Sequence, residues 1–480
     1  MSLLDSSAIE LARRLDGLPL ALATAGTYLR QMPDSFSDYL QLYNNNWDDL
    51  SQYSDGLLEY DGRTLYSTWN VSYQQIQRQD PLAAELLRLI AYLGNQDLWY
   101  ELFQAGADAE SPWLEIIKSK PRFNYAISKL HDYSLVEVRA GSYSLHACVH
   151  DWALEFLNRS FDDKLYRLAV RCVGRSVQWV TEPYYWVGNR RLLQHVRRFD
   201  RIKGLVDWSN IEITDLHCIA HLCSQFDMNT EAETMYLWAL QEYERAWGAE
   251  HTLTLEAVNN LGGLYAKQGK MAEAEAMYLR ALEGKEKVLG VEHTSTLGTV
   301  NNLGLLLADQ GKMAEAEAMY LRALQGKEKE KVWGVEHTST LDTVNNLGML
   351  YARQGKMTEA EAMCLRALQG KEKVWGAEHT STLDTVNNLG VLYANQGKMA
   401  EAEAMYLRAL QGKEKVWGAE HTLTLDTVNN LGLLYANQGK MTEAEAMYLR
   451  ALQGYENAVG ADHPRTRVIA RNLNALHTSS

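Results

Sequence analysis

The sequence predicts a mainly all-α chain, in which a superhelical solenoid of paired helices, residues 213–480, follows smaller helical domains, one of them carrying a β-hairpin. Three observations carry this fold class. A His-Thr pair recurs at His251, His293, His337, His379 and His421, with an altered sixth copy at His463, at spacings of 42, 44, 42, 42 and 42 residues. A fixed period of this length marks stacked supersecondary units. Between the markers each copy holds two stretches of helical period separated by Gln-Gly-Lys. Finally, the 480 residues include only 7 prolines, about 1.5% against roughly 5% in average usage, and a chain so poor in helix breakers favours helix throughout.

Residues 1–46 read as a small helical domain. Ser6-Ser7 begins a helix that runs through Ile9, Leu11 and Ala12 and ends near Gly17. Pro19 suits the first turn of a second helix over 20–29, where its missing N–H is not needed. Residues 60–158 read as a winged-helix-like domain. Helical stretches are expected at 64–79, 81–92, 113–118 and 122–132. Two alternating runs follow, 135–138 and 143–146, joined by Arg139-Ala140-Gly141-Ser142 as a hairpin. A further helix opens at Cys148-Val149-His150-Asp151-Trp152.

Residues 159–212 read as a basic helical connector. Positions 159–203 hold 11 Lys or Arg against 4 Asp or Glu, with Arg190, Arg191, Arg197, Arg198 and Arg201 clustered, inside a chain of net charge −14. Nucleic acid is disfavoured as a partner. Phosphate attraction must come from Lys and Arg, and no aromatic or base-reading module is interleaved with this cluster. The expected use is a solvated face or docking on the acidic array, which has 25 basic and 34 acidic residues from 213 onward. The five cysteines show no Cys-x-x-Cys spacing, so no disulfide framework is implied. The N-terminal residues lack signal-peptide regions, and the longest uncharged apolar stretch, 18–29, is too short for a bilayer. No membrane association and a cytoplasmic location are expected.

The array is justified unit by unit. In one copy, Thr385-Val386-Asn387-Asn388-Leu389-Gly390 opens the first helix and Glu401-Ala402-Glu403-Ala404-Met405-Tyr406 the second. Gly397 is placed as a left-handed cap of the first helix, and Gly418 is expected to do the same for the second. Gly262, Ala274 and Ala281 are small enough for close helix approach, while Leu261, Leu264, Tyr265 and Tyr278 fill the remaining space. Residues 213–248 fit as a degenerate first unit, and 465–476 as a terminal capping helix. Cys364 stands where the sister units have Tyr278, Tyr320, Tyr406 and Tyr448, which predicts an underfilled core. The 44-residue spacing comes from the duplicated Glu-Lys in 327–331, expected to be absorbed at a helix end.

These residues resemble the tetratricopeptide repeat, and the 42-residue period with Asn-Asn-Leu and a His-Thr boundary resembles the kinesin light chain variety. Upstream, Leu15-Asp16-Gly17-Leu18-Pro19-Leu20 resembles the Gly-Leu-Pro-Leu motif of NB-ARC signalling NTPases of the STAND, NLR-like class. Val149-His150-Asp151 is similar to their Met-His-Asp motif, with valine for methionine. The resemblance makes 1–46 an ARC-like remnant and implies that Pro19 faces the adenine of ADP and His150 its phosphate. The order of motifs is similar to the C-terminal part of fungal-type NB-ARC/TPR receptors. No Gly-x-x-x-x-Gly-Lys-[Ser/Thr] occurs, because every Gly-Lys is followed by Met or Glu. The P-loop supplies the phosphate cradle and magnesium ligand, so Pro19 and His150 read as vestigial. No cofactor is expected, and ADP only if a missing NTPase half is present.

Within the repeats, three positions vary while their neighbours do not. They read Gly263, Leu305, Met349, Val391, Leu433; then Lys267, Asp309, Arg353, Asn395, Asn437; then Glu256, Gly298, Asp342, Asp384, Asp426. Offsets of seven and four place them on one helix face, which the resemblance makes the concave, ligand-facing side. Asn259, Asn301, Asn345, Asn387 and Asn429 are its invariant members. An amide offers donors and an acceptor, so such a ladder can hold a peptide backbone, or else brace adjacent helices. The carboxylate-clamp type of repeat is disfavoured, since asparagine replaces its lysine.

No catalytic residues are expected. The His217/His221 pair on one helix could share a metal, but no third ligand falls on the same face, and no metal site is expected. The repeated His-Thr histidines suit loop capping or packing, and no Gly-x-Ser-x-Gly or His-Glu-x-x-His occurs. The expected function is a protein-interaction scaffold that binds an extended protein or peptide segment in the concave groove. One alternative is a nucleotide-regulated switch. The other is a kinesin-light-chain-like motor or cargo adaptor, against which the absence of heptads counts. The sequence leaves the partner's identity and the oligomeric state open.

Overall fold

The computed structural model describes residues 6–15, 19–53, 60–107, 117–179, 185–202, 211–329 and 337–479. The chain divides into two compact units: residues 1–177 with 191–215, and residues 178–190 with 216–480.

The first unit opens with helices α1 (Ser6–Arg14), α2 (Pro19–Gln31) and α3 (Phe36–Tyr53). The first two sit where the sequence places them, and α3 is a helix that the reading of 1–46 did not single out. Then come α4 (Tyr60–Gln79), α5 (Pro81–Ile90), α6 (Tyr100–Ala105) and α7 (Lys120–Asp132). The break between α4 and α5 follows from sequence. Pro81 occupies the first turn of α5, and the Asp80 carboxylate caps it by accepting from the Ala83 N–H at 3.3 Å. Arg122 Nη1 then reaches the same carboxylate at 3.1 Å and ties α7 to that corner. The expected helix at 113–118 lies mostly outside the described residues.

Strands β1 (Glu137–Arg139) and β2 (Ser142–Ser144) pair antiparallel, with Val138 opposite Tyr143. The turn is the two residues Ala140-Gly141, tighter than the four expected, and Gly141 at φ +79° supplies the left-handed position such a turn needs. Leu98 adds a bridge to the open edge of Tyr143, its N–H donating at 2.9 Å. Helix α8 (Ala147–Trp152) leads into a π-helical turn over Ala153–Leu157. Trp69 and Trp152 are fully buried with ring centroids 5.7 Å apart, at the centre of this core. The connector forms α9 (Asp163–Ser176) and α10 (Tyr185–Ile202).

The second unit is a run of antiparallel helical hairpins. Helices α11 (Ile213–Gln225) and α12 (Asn229–Trp247) make the degenerate first hairpin, with Ala232, Tyr236 and Ala239 buried as the pattern requires. Five regular repeats follow. Their first helices are α13 (Thr252–Lys267), α15 (Thr294–Asp309), α17 (Thr338–Arg353), α19 (Thr380–Asn395) and α21 (Thr422–Asn437). Their second helices are α14 (Met271–Leu289), α16 (Met313–Lys329), α18 (Met357–Trp375), α20 (Met399–Val416) and α22 (Met441–Val459). Helix α23 (Pro464–Ser479) closes the array, burying Ile469, Leu473 and Leu476 on its inner side.

Small and large residues alternate as expected. A Cβ on Gly262 would meet the Tyr278 ring at 3.1 Å, so only glycine lets that ring lie on the first helix. The glycine of each Gln-Gly-Lys turns the chain at positive φ, +75° at Gly397. Gly418 has the expected positive φ, +95°, but its counterparts after other second helices are not helical caps. Gly248, Gly290, Gly376 and Gly460 have φ near +90° but ψ of 161–170°, the extended mirror region rather than a left-handed helical cap. Glycine alone adopts that conformation without strain, because the chain must leave the helix extended to reach the next repeat. The duplicated Glu-Lys falls at the end of α16 and in 330–336, which lie outside the described residues. On either side the repeat register is kept: Lys327 is buried like its counterparts, and His337 caps α17 as its sisters do.

Candidate protein-binding groove

The repeated histidines have a structural task. Each His-Thr histidine is the N-cap of a first helix, its Nδ1 accepting from the N–H two residues on. The distances are 3.3 Å at His251, 3.1 Å at His293 and His337, 3.3 Å at His379 and 3.2 Å at His421. Trp375 and Trp417 stack on His379 and His421, with centroids 4.1 and 4.7 Å apart. An Nδ1 that accepts leaves the proton on Nε2. His421 Nε2–H donates to the Gln225 carbonyl at 2.8 Å, and His463 Nε2–H to the Lys267 carbonyl at 2.9 Å. Both ties span 196 residues and are one repeat apart, so the array winds until its last repeats meet its first hairpins.

The first helices build a polar floor inside this winding. A groove of about 390 Å³ is lined by Asn301, Asn345 and Asn387, by Asp342, Asp384 and Asp426, and by Lys371 and Lys413 from the second helices. The asparagine ladder is regular. Asn302 Nδ2 donates to Asn259 Oδ1 at 3.4 Å, Asn346 to Asn301 at 3.4 Å, Asn388 to Asn345 at 3.4 Å, Asn430 to Asn387 at 3.4 Å and Asn472 to Asn429 at 3.3 Å. Every Oδ1 of the ladder therefore braces the next repeat. The Nδ2 groups differ. Those of Asn259 and Asn345 donate to their own neighbours at 3.3 and 3.5 Å, while Asn301, Asn387 and Asn429 have no Nδ2 partner among the described residues.

The other expected positions are spread out. Met349 and Val391 are half-buried against the repeat cores, and Leu433 is 48% exposed. None of the three lines the described groove. Asn395 and Asn437 are exposed at the ends of their helices. Arg353 is committed within the array: Nη1 donates to the Ala308 carbonyl at 3.0 Å and Nη2 pairs with Asp309 at 3.2 Å. Lys267 likewise reaches the Ser224 carbonyl at 2.7 Å. Both cations sit on the C-terminal end of the preceding repeat's helix, where carbonyls are unsatisfied.

A row of lysines was not anticipated. Lys285, Lys327, Lys371 and Lys413 recur at the repeat spacing on the second helices, each with at most 3% of its surface exposed. Three reach the acidic position of their own repeat: Lys285 to Glu256 at 2.8 Å, Lys371 to Asp342 at 2.6 Å and Lys413 to Asp384 at 2.8 Å. Tyr455 takes the lysine's place in the fifth repeat and bonds Asp426. Burial works against ionisation of Asp342, but Lys371 and the Ser381 hydroxyl hold its pKa below the ordinary value. The lysines were legible as invariants, but on a Glu- and Lys-rich helix they look like solvated surface.

In the first unit, His150 is buried and its Nε2–H donates to the Leu93 carbonyl at 2.8 Å. Burial, aided by Arg198, drives its pKa down to about 4. It borders a pocket of about 220 Å³ with Asp151, Arg197 and Arg198. Pro19 begins α2, and its side chain lies outside the described residues. Arg191 makes a bidentate pair with Asp97 at 2.8 and 2.7 Å and stacks over Trp99, and Arg198 is buried near Asp151 at 3.5 Å. These basic residues are thus spent inside their own unit. His217 bonds Asn260 at 2.9 Å and His221 bonds Gln225 at 3.0 Å. Among the described residues no group of three or more His, Cys, Asp or Glu is placed to hold a metal ion, and no helix is long and apolar enough to cross a membrane.

The chain is 29% identical over 282 residues to a nucleotide-binding leucine-rich repeat (NLR)-like protein of Hyaloscypha variabilis, covering 53% of this chain and 26% of that protein. The chain thus spans about a quarter of that relative's length. Among solved structures, BtubC (BKLC) from P. vanneervenii is 23% identical with a TM-score of 0.37, covering 50% of this chain and 94% of its own. A Rap protein complexed with competence and sporulation factor is 12% identical with a TM-score of 0.44, covering 79% and 96%. Two tetratricopeptide-repeat families match, one over residues 212–287, 253–329 and 339–415, the other over 424–465. The hairpins, their cap histidines and their small-large packing belong to that family: residues 212–465 are a tetratricopeptide-repeat array.

Proposed function

We propose that this chain is a non-enzymatic scaffold that binds an extended segment of a protein partner in the groove of its array, and that it derives from an NLR-type receptor. The observation that carries the reading is the division of labour within each ladder amide. Asn387 Oδ1 is used to brace the next repeat, while its Nδ2 has no partner among the described residues and belongs to a groove-lining residue. A donor left over at the same point of Asn301 and Asn429 can take backbone carbonyls of an extended chain without reading its side chains. Met349, Val391 and Leu433, one turn further along the same helices, would then contact side chains, with Arg353, Asn395 and Asn437 at the rim.

The test is selection of extended peptides from a random displayed library on the full chain, followed by binding to Asn301→Ala, Asn387→Ala and Asn429→Ala combined. The expected result is loss of the selected peptides by a variant that retains its helical circular dichroism. Undiminished binding to a folded triple variant would place the site elsewhere.

The similarity to an NLR-like protein favours a second reading, a nucleotide-regulated switch, with 60–158 as its winged helix. The three-residue hairpin and the Leu98 bridge beside α7 support that domain assignment. For this chain we expect no appreciable ATP or ADP binding, because His150 spends its Nε2–H on a backbone carbonyl and no P-loop is present. Calorimetric titration with ADP giving micromolar affinity would reverse that expectation and favour the switch.

A further inference from the structure

Four of the five regular repeats carry an acid at one groove position: Glu256, Asp342, Asp384 and Asp426. Three of these acids receive one cation and one hydroxyl each. Glu256 has Lys285 at 2.8 Å and the Ser295 hydroxyl at 3.3 Å, and Asp342 has Lys371 at 2.6 Å and the Ser381 hydroxyl at 2.8 Å. Asp426 has Arg465 and the Tyr455 hydroxyl. Asp384 has its cation, Lys413 at 2.8 Å, but no hydroxyl among the described residues. The sequence gives the reason, since Leu423 stands where the earlier repeats have Ser295 and Ser381. The backbone at that place is kept. Lys413 Nζ donates to the Leu423 carbonyl at 3.2 Å, as Lys371 does to the Ser381 carbonyl at 3.2 Å. Burial, aided by Asp384, raises the Tyr185 pKa, but the Tyr185 hydroxyl bonds Thr380 Oγ1 at 3.0 Å rather than the carboxylate. Asp384, Lys413 and Leu423 all line the groove of about 390 Å³. Asn387 lines it one turn along the same helix, 9% exposed and with no Nδ2 partner among the described residues.

We propose that Asp384 is the acceptor of a subsite for a hydroxyl side chain, a serine or threonine of the extended segment, which supplies the donor that Leu423 does not. The inference rests on the groove reading and adds to it a side-chain preference at one place. The Ser381–Asp342 pair one repeat earlier is the template for its geometry. An ionised carboxylate has about four lone-pair sites, so Lys413 leaves Asp384 with acceptors to spare. The occupant is a neutral donor rather than a second cation, because Lys413 already balances the charge and each sister acid is satisfied by one cation and one hydroxyl. Leu423 is packed against the cluster of Leu383, Val416 and Trp417. It therefore gives a fixed apolar wall that suits the short stem of such a residue. With Asn387 Nδ2 taking a backbone carbonyl one turn away, the same stretch of ligand is held by its backbone and by its side chain.

The test uses extended peptides selected on the full chain from a displayed library with every position randomised. Serine or threonine should dominate at one position of the selected peptides. Replacing that residue by alanine in a synthetic peptide should weaken binding about tenfold, as expected when a hydrogen bond to a charged group is lost. In Leu423→Ser the chain supplies its own hydroxyl, as Ser381 does for Asp342, and the two peptides should bind alike. Asp384→Ala leaves Leu423 in place and should also make them equal, with helical circular dichroism showing that each variant is folded. Selected peptides with no fixed hydroxyl residue, or with lysine or arginine fixed instead, would overturn the proposal and leave the groove reading standing. A serine-to-alanine difference that persists in either folded variant would overturn it too. If no peptide is selected at all, the groove reading fails and the subsite fails with it.

Discussion

Histidine does two different jobs in the regular repeats and in the irregular remainder of the chain. In the repeats it sits at a helix start, Nδ1 accepting from the backbone and the ring packed on a tryptophan where one is present. In the first unit and the degenerate first hairpin, His150, His195 and His217 are buried, each in a different setting. His195 Nδ1 accepts from the Gly94 N–H at 2.9 Å, and burial lowers its pKa to about 3; burial also lowers that of His217 to about 4. The lesson is that a repeated residue exposes its role by its constant surroundings, whereas a solitary one is defined only by tertiary contacts.

Acid should separate the two regions, with the largest effect we expect. A histidine whose folded pKa lies below its unfolded value near 6.5 contributes fully above that value, and the contribution is lost as pH falls toward the folded pKa. From pH 7 to pH 5, His150, His195 and His217 should each cost about 2 kcal/mol. Asp215, pushed up to about 6 by burial despite Arg175 and Arg171, acts in the other direction and returns on the order of 1 kcal/mol. Calorimetry at pH 7 and pH 5 should show the irregular region melting first at the lower pH. A uniform shift of the whole melting profile would erase the distinction.

The next effect lies inside the array, between a repeat that keeps its buried ion pair and one that lacks the acid. Asp342→Ala would leave Lys371, 2% exposed, without its carboxylate. Removing one partner of a buried pair costs roughly 3–5 kcal/mol. The half-exposed carboxylate reduces this to about 2 kcal/mol through solvent screening. Urea unfolding of the variant checks it. A negligible change would mean that the Ser381 carbonyl and the Thr385 hydroxyl alone satisfy the lysine.

A smaller effect tests the ladder. Asn387→Ala should remove the Asn430–Asn387 brace and cost about 1 kcal/mol, whereas Asn387→Asp keeps the Oδ1 acceptor and should fold more stably than the alanine variant. Peptide binding should fall in both, because both lose Nδ2. If only the alanine variant loses peptide, the amide acts through bracing alone.

How far the sequence was readable follows the same division. The period, the hairpin at each Gln-Gly-Lys, the small and large packing positions and the capping or packing part of the histidines all came from comparing copies. The dual use of Asn387 did not, because a sequence shows that an amide is invariant but not which of its ends is engaged. The buried lysines were hidden by composition: beside Glu and Gln on a helix, Lys371 reads as surface until the acid of the partner helix is seen 2.6 Å away. Helix α3 and the tie from His421 to Gln225 have no repeated pattern to announce them. The former is a single amphipathic stretch, and the latter depends on how far the superhelix turns over 196 residues.

Cys364 gives the smallest predicted effect and the cleanest comparison among copies. Its sisters place a tyrosine ring on the repeat's glycine, with the Tyr320 and Tyr448 rings 2.9–3.1 Å from where a Cβ on Gly304 or Gly432 would stand. In the third repeat the walls of that socket are unchanged: Gly348 still lies beneath, and Ala360 and Ala367 are still small and fully buried. Only the filling differs, with the Cys364 Sγ 2.9 Å from the Gly348 Cβ position and its thiol pushed up to about 11 by burial. Cys364→Tyr should therefore restore the contacts its sisters make, at a gain of about 1 kcal/mol, since a ring with the same walls meets the same partners. Adding volume to a core whose neighbours have moved in costs about 1–3 kcal/mol instead, so the sign of the change is itself the measurement. A raised melting temperature for the full chain would show that the socket is held open by the glycine and alanines of its own repeat. A lowered one would show that Met349 and Met363, flexible enough to fill irregular gaps, have closed over the sulfur.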